Sequence, residues 1–573
     1  MSLDQEFLEI DDSKELKFSS RRSVVHSTQG IVSCTQPLAA QAGLKILRAG
    51  GNAVDAAVAT AAALTFFEPH MVSPAGDMFA IFYNAKDKSL KAINGAGRAP
   101  AALTIDYLVS QGITGRKLPP NSPHCVTVPG GVAGWIDAID AWGSGKITIA
   151  DALGPVIDFA ENGAPIGEIS AGLWYRGLKI LTNNSENAKD LLLPDGTTPK
   201  TGTIWTNKKL AETYKLVAKN GKAGFYEGPV AERIVNTVQK KGGVLSLDDL
   251  KNHTSTFVEP TPIDFNGLTL WEVPPSGQGI LAQIAVGIIR ELIADKVVPP
   301  PEEWKLNSAE YLHIIIEALK IAFRDGEEYV ADPLKAKVPT SELLSKEYLN
   351  RRSKEFDPTK AKPQYGPGKL NTANESDTVY LTVTDKEGNA VSFINSVAGL
   401  FGTGIIPDDS GFPLQNRGVN FVLDKSALNS LEPGKRPYHT IIPALLTKDD
   451  EIYAAYGVMG GFMQPQGHLQ VLLNHSIFGL DPQKSLDVPR VCITPGRVVG
   501  DVTLTNVNVE QEIDPAVVAK LKDLGHEITW QKRYDPLFGR GQFIKLTKQE
   551  NGAIVHSAGS DPRGDGAAYP FYD

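Results

Sequence analysis

The bond between Asp377 and Thr378 is where this chain could turn an ordinary residue into a reactive one. The stretch from Asn350 to Asp377 is rich in Lys, Pro, Gly, Asn and Ser and has no apolar period, so it reads as an exposed, loosely held loop. It runs directly into a segment where Val379, Leu381 and Val383 alternate with Thr378, Tyr380, Thr382 and Thr384, the pattern of a half-buried strand from Asp377 to Asp385. A cut at that junction would present a threonine as a new N-terminus at a sheet edge. An ordinary strand threonine carries the same local signature, because Thr is common in strands.

Other catalytic signatures are missing. There is no Gly-x-Ser-x-Gly elbow, no His-Glu-x-x-His and no Gly-x-Gly-x-x-Gly after a strand. Gly143-Ser144-Gly145-Lys146 is similar to a phosphate loop, but Asp140 stands where its first glycine belongs and Ile147 where its metal-binding hydroxyl belongs. The ten histidines are scattered, and none pairs with another at ligand spacing, so neither a metal nor another cofactor is expected. His439 and His468 read as ordinary polar contacts.

Several elements must position the Thr378 strand. Asp385 to Asn389 supplies turn residues and Ala390 to Ser396 a second apolar strand, which makes a hairpin. Pro37 opens a helix that ends at Gly50-Gly51, and Asn52 can cap the next one, Ala53 to Thr65, which is apolar on nearly every side and therefore has to be buried. Asn307 with Glu310 reads as a capping box ahead of Leu312, Ile315, Ile316, Leu319 and Phe323 at helical spacing. Later come short strands, Ile441 to Thr447 and Ile452 to Val458, then Gly460-Gly461 and a helix from about Gln466 to Ile477.

At 573 residues the chain exceeds one ordinary core, so two domains or one large intertwined one are expected. With 42% hydrophobic and 21% charged residues it is globular rather than disordered. A net charge of -9 without a basic block excludes a footprint for nucleic acid or an anionic membrane. Cys34, Cys125 and Cys492 show no metal or redox spacing and read as reduced, buried residues of a cytoplasmic protein. Met1 to Phe18 is acidic and reads as a polar arm rather than a signal peptide.

The strand at Thr378 is followed in order by Gly388-Asn389-Ala390-Val391, Phe401-Gly402-Thr403-Gly404, Pro433-Gly434-Lys435-Arg436-Pro437, Gly460-Gly461 and Ser560-Asp561-Pro562-Arg563. Upstream stand Gly50-Gly51-Asn52-Ala53-Val54-Asp55, Val126 to Trp135 and Pro274-Pro275-Ser276. Together these resemble the γ-glutamyltransferases, autoprocessing members of the N-terminal nucleophile hydrolases, over roughly residues 25 to 570. The resemblance implies an α+β fold, the αββα four-layer sandwich, and self-cleavage between Asp377 and Thr378. Residues 1–20 would form the arm, 21–377 a large subunit and 378–573 a small one. Thr378 would be the nucleophile, Ser396 its hydrogen-bonding partner, and the N–H groups of Gly460 and Gly461 the oxyanion hole. A free α-amino group with a pKa of roughly 7.7 to 8.0 can take the proton of a threonine hydroxyl, whereas the amide before cleavage cannot.

The expected substrate pocket departs from that of glutathione-using relatives. Their carboxylate-binding arginine falls on Ala96, with Arg98 two residues later. Their acid for the substrate ammonium becomes Asn420, its upstream glutamine Arg417, their serine pair His439-Thr440 and a pocket asparagine Ala398. Loss of the acid and gain of Arg417 favour an acyl group that is anionic but has no α-amino group, as in the branch of oxamate-type amidohydrolases and glutaryl acylases. The expected protein is an amidohydrolase acting on a small amide with water or an amine as acceptor, its subunits associated after cleavage, with a dimer of heterodimers among the expected assemblies. A true γ-glutamyltransferase or glutathione hydrolase is the alternative, and an inactive homologue that serves as a binding protein is the alternative of another class.

Overall fold

The structure is a computed structural model and describes residues 22–365, 377–499 and 502–573. The expected N-terminal arm lies outside these residues, as do residues 366–376 of the expected loop before Thr378. Two seven-stranded sheets lie face to face. One runs Ala567–Pro570, Gly30–Cys34, Asp377–Asp385, Ala390–Ala398, Asp77–Asn84, Ser89–Gly95, Thr256–Val258 in spatial order. The other runs Val25–Ser27, Ile554–Ser560, Arg540–Lys548, Glu451–Met459, Ala444–Lys448, Leu268–Glu272, Thr261–Phe265. Helices Pro37–Arg48, Ala53–Phe67 and Gly131–Trp142 cover the first sheet, and Gly279–Ala294 and Met463–Ser476 cover the second. This is the expected α+β, αββα order.

Ala53–Phe67 shows why the layers form. All 15 of its residues are buried, and it packs on strands Asp377–Asp385 and Ala390–Ala398, as a helix without a polar face must. Asn52 caps it, accepting from the N–H groups of Val54 and Asp55, while the Asp55 carboxylate accepts from the Asn52 N–H at 3.0 Å. Its first N–H, on Ala53, donates to Asp385 Oδ2 at 2.8 Å, which ties the helix to the end of the Thr378 strand.

Three expectations change. The Thr378 strand is neither half-buried nor at an edge: it lies between Gly30–Cys34 and Ala390–Ala398, and Thr378 to Thr384 are all buried. Its polar face is tolerated because its hydroxyls are bonded inside the sandwich. Thr382 donates to Val391 O at 2.8 Å, the Tyr380 hydroxyl meets Ser392 Oγ at 2.8 Å, and Thr384 Oγ1 accepts from the Ile31 N–H at 3.2 Å. The stretch from Asn350 is not loop throughout, since Lys346–Ser353 is helical and Tyr365 is buried against Glu317. Helix Ala309–Tyr329 is capped by Ser308, which accepts from the Tyr311 N–H, while the Asn307 side chain donates to Pro489 O at 3.0 Å. A third sheet, Val491–Val499, Val502–Glu510 and Glu527–Gln531, was not anticipated. Among the described residues no helix is long and apolar enough to cross a membrane.

Candidate active site

Thr378 enters its strand through a bulge. The register passes from Asp377 opposite Ala398 to Val379 opposite Asn395, so Thr378 falls out of the regular ladder, and a bulge is a device for re-aiming a side chain. Its Oγ1 lies 3.5 Å from Ser396 Oγ, at the limit of hydrogen bonding, and accepts from Gln464 Nε2 at 3.3 Å. Gln464 sits in the first turn of Met463–Ser476, and its Oε1 is fixed by the Ile442 N–H at 2.9 Å. That anchor turns the amide nitrogen toward Thr378. Sequence reasoning missed Gln464, and no local signal marks it.

Behind Ser396 lies a buried polar chain. Ser396 Oγ accepts from the Ala398 N–H at 2.8 Å and from Arg417 Nη2 at 2.9 Å, and Arg417 Nη1 donates to Thr440 Oγ1 at 2.7 Å. Asp77 is the direct cross-strand partner of Ser396. Its Oδ1 accepts from the Gly97 N–H at 2.9 Å and from Gln415 Nε2 at 3.1 Å, its Oδ2 from His439 Nε2 at 2.9 Å, and Arg417 Nε stands 3.9 Å away. Burial pushes the Asp77 carboxyl up, but the His439 hydrogen bond, Arg417 and the Gly97 N–H outweigh it and leave it below the ordinary value. Burial, with help from Arg417, pushes His439 down to about 4, so the ring is neutral at pH 7. Its Nδ1 accepts from the Ile441 N–H at 3.3 Å, which leaves the proton on Nε2 for Asp77. Burial lowers Arg417 to about 10, against the pull of Asp77, and it keeps its charge at neutral pH.

Gly460 and Gly461 join strand Glu451–Met459 to helix Met463–Ser476 with φ of 126° and 55°. Both angles lie in the region that favours glycine. Their N–H groups have no acceptor among the described residues. The Gly461 carbonyl accepts from Gln278 Nε2 at 2.8 Å, and the same nitrogen donates to Thr440 O at 2.7 Å, so one buried amide locks the glycine turn to the Thr440 segment.

The expected substrate residues divide. Asn420 lines a cleft with Tyr438 and with Phe462, the residue that follows Gly461, and donates to Tyr438 O at 2.9 Å. Arg417, His439 and Thr440 are fully buried in the wall behind Ser396 and do not line that cleft. Arg98 turns its guanidinium to Thr254 O at 3.1 Å, an acceptor it shares with Arg436, and is not among the cleft residues. Among the described residues, His313, Glu317 and His526 form the group with metal-ligand spacing. Glu317 there already holds Lys320 at 2.7 Å and the Tyr365 hydroxyl, so its carboxylate is engaged in fastening Tyr365 to helix Ala309–Tyr329.

The chain belongs to the gamma-glutamyltranspeptidase family, whose profile, described as Gamma-glutamyltranspeptidase, matches residues 39–571. It is 34% identical over 552 residues to the glutathione hydrolase-like YwrD proenzyme of Bacillus subtilis (strain 168), covering 96% of this chain and 99% of that one. It is 32% identical over 548 residues to the oxamate amidohydrolase proenzyme of Klebsiella pneumoniae, covering 95% and 98%. Among solved structures, the cephalosporin acylase from Bacillus halodurans matches with a TM-score of 0.87 at 37% identity, over 99% of this chain and 100% of that chain. The fold is that of the N-terminal nucleophile hydrolases, and this chain stands among hydrolases and acylases made as precursors.

Proposed function

We propose that the chain cleaves itself between Asp377 and Thr378 and that residues 378–573 then carry an N-terminal threonine nucleophile for amide hydrolysis. In the cleaved enzyme the free Thr378 amine takes the Oγ1 proton, and Oγ1 bonds to the substrate carbonyl carbon. The oxyanion that forms is met by the N–H groups of Gly460 and Gly461. The C–N bond breaks, the amine leaves with the proton, and an ester on Thr378 remains. Water attacks that ester, restores the hydroxyl and releases a carboxylic acid. An amine in place of water would give transfer.

The observation that carries this reading is the convergence on one buried hydroxyl. Thr378 Oγ1 is re-aimed by a bulge, faces Ser396 at 3.5 Å and Gln464 at 3.3 Å, and lies close to the glycine turn that Gln464 follows. The Arg417 charge, one hydrogen bond behind Ser396, favours negative charge developing on the threonine side. Residues 21–377 and 378–573 would remain joined after cleavage, because the Thr378 strand keeps Gly30–Cys34 as a ladder partner.

The preferred acyl group is anionic and lacks an α-amino group. Asn420 stands in the cleft wall, and an amide gives a substrate ammonium no ion pair to replace its hydration. Leaving such a charge desolvated and unpaired costs on the order of several kcal/mol. Glu327 on the same cleft favours the second reading, a γ-glutamyl group, since it offers an acid. Paired anilides decide between them: the glutaryl anilide should have the higher kcat/KM, and a clear win for the γ-glutamyl anilide overturns the assignment of the acyl group.

A further inference from the structure

The cleft that reaches the glycine turn through Phe462, the residue after Gly461, is largely apolar, walled by Phe323, Tyr438 and Phe462, and carries a single lysine, Lys117. The Lys117 loop is fastened at two points to the segment that bears Arg417 and Asn420. Leu423 N–H donates to Arg116 O at 2.8 Å, and Asn416 Nδ2 donates to Pro120 O at 3.0 Å. Lys117 is thus held against the wall formed by Asn420 and Val422 rather than left on a free loop. Its side chain is half-buried, and among the described residues its ammonium has neither a hydrogen-bond nor an ion-pair partner. Burial pulls the ammonium below its ordinary pKa, and the charge of Glu327 on the same cleft opposes that pull. A partly desolvated ammonium without a partner is unfavourable, and a carboxylate entering the cleft would relieve it.

We propose that Lys117 binds the carboxylate of the substrate acyl group, the role that Arg417, committed to Ser396 and Thr440 and buried behind them, is not placed to fill. The proposal rests on the amidohydrolase reading above and names its specificity residue. The acyl chain would run from Thr378 along the apolar wall, with its carbonyl at the glycine turn and its distal carboxylate at Lys117. A short dicarboxylic monoamide fits this description.

The test compares wild type, Lys117→Met and Lys117→Arg on glutaryl anilide and on butyryl anilide, which lacks only the distal carboxylate. Losing a hydrogen bond to a charged group should reduce the preference for glutaryl over butyryl about 10- to 100-fold in Lys117→Met, through KM rather than kcat. Lys117→Arg should retain most of the preference. A Lys117→Met enzyme whose preference stays within about 3-fold of wild type overturns the proposal. Calorimetric titration with glutarate needs no turnover. If neither anilide is hydrolysed the amidase reading fails, yet glutarate binding to wild type and lost in Lys117→Met still supports Lys117. Equal binding to both, or to neither, overturns it.

Discussion

Replacing Gly460 with alanine probes the oxyanion assignment through a clash that can be located in advance. Gly460 has a φ of 126°, and a Cβ built there would lie 2.9 Å from Gly539 Cα and 3.5 Å from both Gly539 N and Met463 Cβ. Gly539 cannot retreat easily, because a Cβ on its own backbone would lie 2.1 Å from Met459 O, so the two turns are already in close contact. An alanine must therefore rotate the 460–461 peptide, at a strain of about 1–3 kcal/mol, and carry the N–H donors off the position where the oxyanion forms. Loss of one such donor lowers kcat by about 10²- to 10³-fold, and a donor that is displaced rather than deleted should fall near the lower figure. The assay is steady-state hydrolysis of an anilide by the cleaved Gly460→Ala enzyme, with thermal unfolding as the control for folding. Since the oxyanion exists only in the transition state, kcat should drop with little change in KM. A folded, cleaved variant whose kcat lies within about 3-fold of wild type refutes the placement of the hole.

Gln464→Leu removes a neutral hydrogen bond to Thr378 Oγ1, about 0.5–1.5 kcal/mol, and kcat/KM should fall up to about 10-fold; an unchanged value removes Gln464 from the site. Arg417→Met strips donors from Ser396 and Thr440 and a cation from Asp77. Breaking a buried ionic contact costs about 3–5 kcal/mol, and because Asp77 keeps three other donors the loss in urea unfolding at pH 7 should be near the lower end. Asp77 has a depressed folded pKa, so its contribution is present above the unfolded value and is lost as pH falls through the folded one. Without Arg417 its carboxyl rises, and the deficit of the variant should narrow in acid; a deficit that widens contradicts the pairing. His556 is buried with both ring nitrogens unbonded, and burial pushes it down to about 4. Its folded pKa lies below the ordinary 6.5, so stability is full above 6.5 and is lost toward pH 4, by up to about 3 kcal/mol. His556→Phe should remove that loss, and an identical fall in both proteins between pH 7 and 4.5 contradicts it.

Elements whose patterns are local were legible. The alternation from Asp377 to Asp385, its hairpin partner and the nearly all-apolar Ala53–Phe67 were readable because residues two, three or four apart report directly on one face. The half-buried reading failed because a row of threonines is polar by type, while here each hydroxyl finds an acceptor or donor inside the sandwich. Strand Val491–Val499 was hidden by Pro495-Gly496, where the register shifts. Motif order brought Thr378, Ser396, Gly460 and Gly461 into view, but not what stands behind them. Asp77 and His439 are 362 positions apart, and Gln464 meets Thr378 across 86, so no periodicity could join them. An aspartate opening the apolar run Met78 to Tyr83 was the available signal for Asp77. For Lys117 there was none, since a lone lysine in a loop looks the same whether it faces water or a cleft.

Mass spectrometry of the purified chain under denaturing conditions tests the central claim most directly. Wild type should give two polypeptides, one ending at Asp377 and one beginning at Thr378, while Thr378→Ala should remain a single chain without amidase activity. A wild-type chain that stays whole and still hydrolyses amides, or one whose new N-terminus is not Thr378, contradicts the account.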